Sequence, residues 1–122
     1  MTVTTQPASV LNANCASRRV LDLLSDKWTT LVLRALESGT QRFGVLKRRI
    51  DGISQKMLTQ TLRRLEAAGL ISRAVQHVVP PVVEYSLTPL GRSLLPALDA
   101  LVSWAEKNYT EVEAAWSRVD LA

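Results

Sequence analysis

Between residues 15 and 69 apolar positions recur every three or four residues in four separate runs. Val20, Leu21, Leu23 and Leu24 predict a short amphipathic helix over about 16–25. Asp26 precedes the second run and can accept from the free N–H groups of its first turn. There Trp28, Leu31, Val32, Ala35 and Leu36 fall at i, i+3, i+4, i+7 and i+8, one stripe of an α-helix. Gly39 is placed to end that helix in a left-handed cap. Phe43, Leu46 and Ile50 predict a third helix over about 43–50, followed by a tight turn at Asp51-Gly52-Ile53. Ser54 then caps a fourth helix reaching about Ala68, with Gly69 as its stop. In this helix Leu58, Leu62 and Leu65 must face the core. Lys56, Gln60 and Arg63 fall close to the opposite face, flanked by Thr59 and Arg64.

The period changes after residue 69. Residues 70–76 and 82–88 are rich in β-branched side chains, and Val83, Tyr85 and Leu87 alternate with Glu84 and Ser86. The segment between them, His77–Pro81, holds two prolines and cannot continue a central strand. These residues predict a β-hairpin with a proline-bearing loop. Thr88-Pro89 opens a last helix reaching about Ser117, with a hydroxyl cap and a proline where its missing N–H is harmless. Leu94, Leu98, Leu101, Ala105, Val112 and Trp116 form its apolar stripe, widened by Leu95, Val102 and Tyr109. Pro96 predicts a kink, or a short first segment and a restart. Trp28, Trp104, Trp116 and Tyr85 read as core aromatics rather than the lining of a ligand pocket. Residues 1–14 carry no charged side chain and no periodicity, and read as a flexible tail ahead of one domain over 15–122.

The expected fold is mainly α with a small β-hairpin, a helix-turn-helix with a wing, in the α+β class. Such a unit offers two kinds of contact to duplex DNA. Phosphates seek cations and helix N-terminal N–H groups. Base edges in the major groove seek polar side chains along one helix face. The fourth helix carries both, with Ser54, Gln55 and Lys56 at its start and Thr59, Gln60, Arg63 and Arg64 on or beside its outward face. Arg42 and Arg49 add cations around the third helix, and His77 is either a phosphate contact or an ordinary loop residue. A solvated amphipathic helix is the competing reading of such a face.

Charge changes the odds. The net charge is only +4 over 122 residues. Residues 42–73, however, hold eight basic side chains against Asp51 and Glu66, an excess of +6, while residues 93–122 carry −3. The excess lies where phosphates would dock. Chemistry of other kinds is poorly supplied. One cysteine, Cys15, and one histidine, His77, exclude an intrachain disulfide, a Cys/His metal site and most nucleophilic triads. The reading is no enzyme and no cofactor. With no long apolar run and no basic and apolar leader at the N-terminus, a cytoplasmic location without membrane contact is expected.

Several segments carry a family resemblance: Lys27-Trp28, Arg42-Phe43, Gly52-Ile53-Ser54, Met57-Leu58-Thr59, Gly69-Leu70, Pro80-Pro81, Glu84-Tyr85-Ser86-Leu87-Thr88 and Trp104-Ala105. In combination, over about Cys15 to Ala105, the chain resembles the HxlR-type branch of the winged helix transcription regulators. The resemblance implies a homodimeric, MarR-like bacterial regulator. Its recognition helix, about 54–68, would enter the major groove, and its wing, about 70–88, the flanking minor groove or backbone. It also implies dimerisation through the N- and C-terminal helices. Leu94, Leu98, Leu101, Val102, Ala105, Tyr109, Val112 and Trp116, in a helix over about 89–117, are the expected contacts. Part of the family senses quinones, aldehydes or disulfide stress through a cysteine just before the first helix, and Cys15 matches that position. A helix N-terminus near Arg18 and Arg19 would stabilise its thiolate. Alanine follows Cys15 where proline is frequent in the family, and no second cysteine exists. Only a Cys15–Cys15 bridge, a mixed disulfide with a small thiol, or alkylation by an electrophile remains. The competing readings are a small buried hydrophobe at Cys15, a regulator responding to a non-covalent ligand, and a winged helix used for protein contacts.

Overall fold

The computed structural model describes residues 9–120. Its elements run α1 (Ala16–Leu24), α2 (Lys27–Leu36), β1 (Gln41–Arg42), α3 (Phe43–Arg49), α4 (Gln55–Ala67), β2 (Ile71–Gln76), β3 (Val82–Leu87) and α5 (Pro89–Asp120). Residues 1–8 of the expected tail lie outside the described residues. Residues 9–15 make turns, with Asn12 donating to the Ser9 carbonyl and Cys15 to that of Asn12.

The helix boundaries follow from caps. The Asp26 carboxylate accepts from the Trp28 N–H at 2.9 Å, and the Ser54 hydroxyl from that of Met57 at 3.0 Å. Each satisfies a donor that a helix start leaves without an internal partner. The end of α4 is a paired closure. Gly69 donates to the Glu66 carbonyl and Leu70 to that of Leu65, with Gly69 at φ +77°. Thr88 caps α5 and ties its start to the turn after α4. Its hydroxyl donates to the Gly69 carbonyl at 2.6 Å and accepts from the Gly91 N–H at 3.1 Å.

The core joins α2, α3, α4, the root of the sheet and the first half of α5. Val32, Leu33, Leu36, Leu46, Leu58, Leu62 and Leu65 are fully or almost fully buried, with Ile50, Ile53, Ile71, Leu87 and Leu98 around them. The sheet has strand order β1-β3-β2, antiparallel throughout. The sequence predicts only the hairpin. Two residues, Gln41 and Arg42, are too short a strand to show alternation, yet they pair with Tyr85 and Glu84.

Three other expectations change. On α2 the buried positions are Thr29, Val32, Leu33, Ala35 and Leu36, while Leu31 is exposed. The helix is covered by α3, α4 and α5, so the buried stripe is broader than and rotated from its apolar period. α5 runs unbroken through Pro96 to Asp120, so no restart occurs. Pro96 is exposed, where the carbonyl freed four residues earlier can meet water. Trp104 and Trp116 are not core, being 59% and 65% exposed. Trp28 and Tyr85 do pack partly buried against the core.

Candidate nucleic-acid interface

The α3–turn–α4 unit is built around Gly52, whose φ of +84° turns the chain between Ile50 and Ile53. Both isoleucines are buried, so the turn is anchored from beneath. Leu46 of α3 and Leu58, Thr61, Leu62 and Leu65 of α4 bury one face of the unit. At 100° per residue the opposite face of α4 must then present Lys56, Gln60 and Arg63, with Thr59 beside them. Lys56 and Arg63 are exposed, and Thr59 and Gln60 are half-buried. Ser54, Gln55 and Lys56 stand exposed at the N-terminus of α4. The Ser54 hydroxyl occupies one of the N–H groups there, and the helix end carries partial positive charge.

The hairpin flanks this helix. Ile71 to Gln76 pair in register with Leu87 to Val82. Cross-strand side chains pin the register, through Ser72 Oγ and Ser86 Oγ at 2.9 Å and Gln76 Nε2 donating to Glu84 Oε1 at 2.6 Å. The tip, His77–Pro81, is wholly exposed and holds a cis Val79–Pro80 bond. Arg42, exposed at the end of β1, lines a shallow groove with Phe43, Gly44 and Pro80–Val83 of the wing.

Two residues expected at the DNA face, Arg49 as a phosphate ligand and Arg64 beside the base readers, are occupied elsewhere. Arg49 donates to the Ala35 carbonyl at 2.9 Å and to Ser38 Oγ at 3.2 Å, holding the C-terminal end of α2. Its guanidinium thus faces the α2–α3 side of the domain. Arg64 lies 3.6 Å from the Asp26 carboxylate, beside the groove that α4 shares with α1. Neither alignment is visible in a helical period, because both partners come from α2 and its flanks. His77 is exposed, with no hydrogen bond or ion pair among the described residues. Conversely, Arg73 of β2 is a cation that helix-face reasoning passes over. The strand carries it into a cleft that Arg63, Thr59 and Tyr85 also line.

Cys15 is the N-cap residue of α1 and is partly exposed. Its Sγ lies 2.9 Å from the Ser17 hydroxyl. That hydroxyl first, and then the backbone N–H groups of Ser17 and Arg18, hold the thiol below its ordinary pKa. The cause is hydrogen bonding at a helix start, not the guanidinium charges of Arg18 and Arg19.

Of the residues expected at a dimer contact, only Leu98 is buried; Leu94, Val102 and Val112 are half-buried. Leu101, Ala105, Tyr109 and Trp116 are exposed. No helix among the described residues is long and apolar enough to cross a membrane.

Residues 23–113 match the sequence profile of the HxlR-like helix-turn-helix family. YtfH of Escherichia coli strain K12, an HTH-type transcriptional regulator described as uncharacterized, is 49% identical over 100 residues, 82% of this chain and 79% of YtfH. Among solved structures, a proposed transcriptional regulator of Salmonella typhimurium, ytfH, superposes with a TM-score of 0.83 at 42% identity. That match covers 91% of this chain and 99% of the other. The redox regulator HypR in its reduced form superposes at 0.75 with 40% identity, over 80% of this chain and 97% of that one. On these matches the chain belongs to the HxlR-like helix-turn-helix family, a family of transcriptional regulators and not of enzymes.

Proposed function

We propose that this protein is a homodimeric transcriptional regulator that binds a pseudo-palindromic operator in double-stranded DNA and is switched by oxidation or alkylation of Cys15. The outward face of α4 carries the first part of this reading. It is a rigidly seated helix with an apolar underside, a polar and cationic upper face and a free N-terminus beside a wing. Gln60 and Arg63 read base edges, with Thr59 beside them. Ser54, Gln55, Lys56 and Arg42 hold phosphates. The apolar surface left open on α5 supports the dimer, and a two-fold dimer reads a two-fold site.

The test separates reading from holding. Arg63→Ala should relax sequence preference and cost about 1–3 kcal/mol at its base pair. Lys56→Ala should weaken all sequences alike and flatten the salt dependence. If neither changes operator affinity, α4 is not the docking helix.

The switch rests on the lowered thiol pKa of Cys15 and on the likeness to HypR, described as a redox regulator and solved in oxidised and reduced forms. With one cysteine per chain, an oxidant such as diamide takes two hydrogens from two thiols and leaves a Cys15–Cys15 or mixed disulfide. A quinone instead adds to the thiolate as an S-alkyl group. Diamide or a quinone should lower operator affinity in the wild type and not in Cys15→Ser. An equal response in both removes Cys15 from the mechanism.

A further inference from the structure

The hairpin presents a contradiction. A wing that touches DNA ordinarily needs cations, because phosphates dominate affinity. Yet from Ala74 to Gly91 this chain has no lysine or arginine, and it carries Glu84 there. The tip itself, His77-Val78-Val79-Pro80-Pro81, is exposed and apolar but for the histidine, and Val79 projects entirely into solvent. The cation of the hairpin sits at its root, where Arg73 leaves β2 opposite Tyr85.

That root is shaped. Thr59, Leu62, Arg63 and Glu66 of α4 face Arg73 of β2 and Tyr85 of β3 across a cleft of about 290 Å³. Two guanidinium groups line it against one carboxylate. Neither Arg63 nor Arg73 belongs to an ion pair among the described residues, where arginine pairs occur only at Arg34 and Arg64. Two arginines held near each other without a paired carboxylate repel, and an anion between them would relieve that repulsion. Thr59 and Tyr85, which also line the cleft, carry hydroxyls that can act as further donors. A planar guanidinium suits a phosphodiester, since it can give two parallel hydrogen bonds to the non-bridging oxygens.

We infer that Arg73 is a DNA-binding residue that clamps a backbone phosphate at the root of the wing, so that the wing is anchored there and not at its tip. The inference rests on the reading of α4 as the docking helix. With α4 in the major groove and the hairpin over the neighbouring minor groove, the strand that separates the two grooves passes between helix and hairpin. The cleft lies at that junction. The phosphate there meets Arg73 from β2, with the shaft of Arg63 beside it. The tip, which holds no lysine or arginine, then adds shape and apolar contact.

The experiment is a salt titration of duplex binding, on random and operator-bearing DNA, for the full chain and its variants. Removing one phosphate ligand should flatten the slope of log affinity against log salt by about 0.9. That change corresponds to about a fivefold weaker affinity at 0.15 M salt, equal for both DNAs. Arg73→Ala should show this weakening and Arg73→Lys should restore most of the slope. Val79→Ser and His77→Ala should leave the slope unchanged. An unchanged slope and affinity in Arg73→Ala, beside a wild type that binds with a steep slope, overturns the clamp. A flattened slope in His77→Ala moves the anchor to the tip and overturns it equally. A wild type that shows no salt-dependent duplex binding overturns the docking reading itself. Matching far-ultraviolet circular dichroism and melting temperature establish that Arg73→Ala is folded; should it fail to fold, the Arg73→Gln slope decides by the same criterion.

Discussion

Helices α4 and α5 both alternate apolar and polar faces, yet their surroundings differ sharply. In 13 residues α4 buries Leu58, Thr61, Leu62 and Leu65, with a hydroxyl cap at one end and a glycine closure at the other. In 32 residues α5 fully buries the side chain of Leu98, with Leu94 and Leu95 partly covered. Beyond Leu98 its apolar face, with Leu101, Trp104, Tyr109, Trp116 and Val119, is open to solvent. An amphipathic period states that a face will be buried, not what buries it. The α4 face finds its partner within the chain. The α5 face is a long exposed apolar surface of the sort that marks an interaction site.

The largest effect should come from the helix that is satisfied. Leu62→Ala removes a core side chain of α4 that is 2% exposed and leaves a cavity, which costs about 2–5 kcal/mol. Chemical denaturation checks it. A change below about 1 kcal/mol would mean that α4 is less firmly seated than its burial implies.

Trp116→Glu probes the other side of the comparison. If a second copy covers α5, a charge in place of this 65% exposed ring should shift the protein from dimer to monomer in sedimentation or light scattering. Central tryptophans in interfaces are typically worth about 2 kcal/mol or more. An unchanged mass would mean that α5 meets another partner or none.

Between these extremes lies the first turn of α5, which is seated as tightly as α4. A Cβ at Gly91 would collide with the Leu70 carbonyl oxygen and meet the Leu87 side chain at 3.3 Å. Gly91→Ala should therefore destabilise by about 1–3 kcal/mol despite alanine's better helix propensity. A stabilised variant in thermal melting would show that α5 can slide on the sheet root, and the contrast within α5 would fail.

The same contrast marks what could be read from residues alone. The caps at Asp26, Ser54 and Thr88, the Gly69 stop and the hairpin are local chemistry, and each stands where its signal lies. The outward face of α4 was legible because one helix with a known underside leaves only one upper face. The two-residue β1 was not, since pairing with β3 depends on a distant strand. Nor were the roles of Arg49 and Arg64, whose partners at Ala35, Ser38 and Asp26 come together only in the tertiary fold. Leu31 misled for a related reason. Its spacing suits a one-sided helix, but α2 is enclosed by α3, α4 and α5 at once, so Leu33 is buried instead.

The smallest expected effect concerns α1, which stands between the two regimes. It has no buried residue, and its Arg19, Val20 and Leu23 share a groove with Arg64, Ala67 and Ala68 at the end of α4. A modification of Cys15 at its start would therefore act first on the loosely held part of the molecule. The groove places α1 against the C-terminal end of α4. The chemistry depends on the thiolate, because only that form is the nucleophile. The Ser17 hydroxyl, 2.9 Å from Sγ, is placed to donate to the thiolate and is the first cause of the lowered pKa. Removing it in Ser17→Ala should raise the pKa toward the ordinary thiol value. The sign follows directly: at neutral pH the variant holds less thiolate and is alkylated more slowly, while well above the ordinary thiol pKa the two proteins differ little. Iodoacetamide rates measured against pH should show a wild-type midpoint below that of Ser17→Ala. Coincident profiles would assign the lowering to the α1 amides alone, and an inverted order would mean that Ser17 accepts from the thiol and stabilises its protonated form.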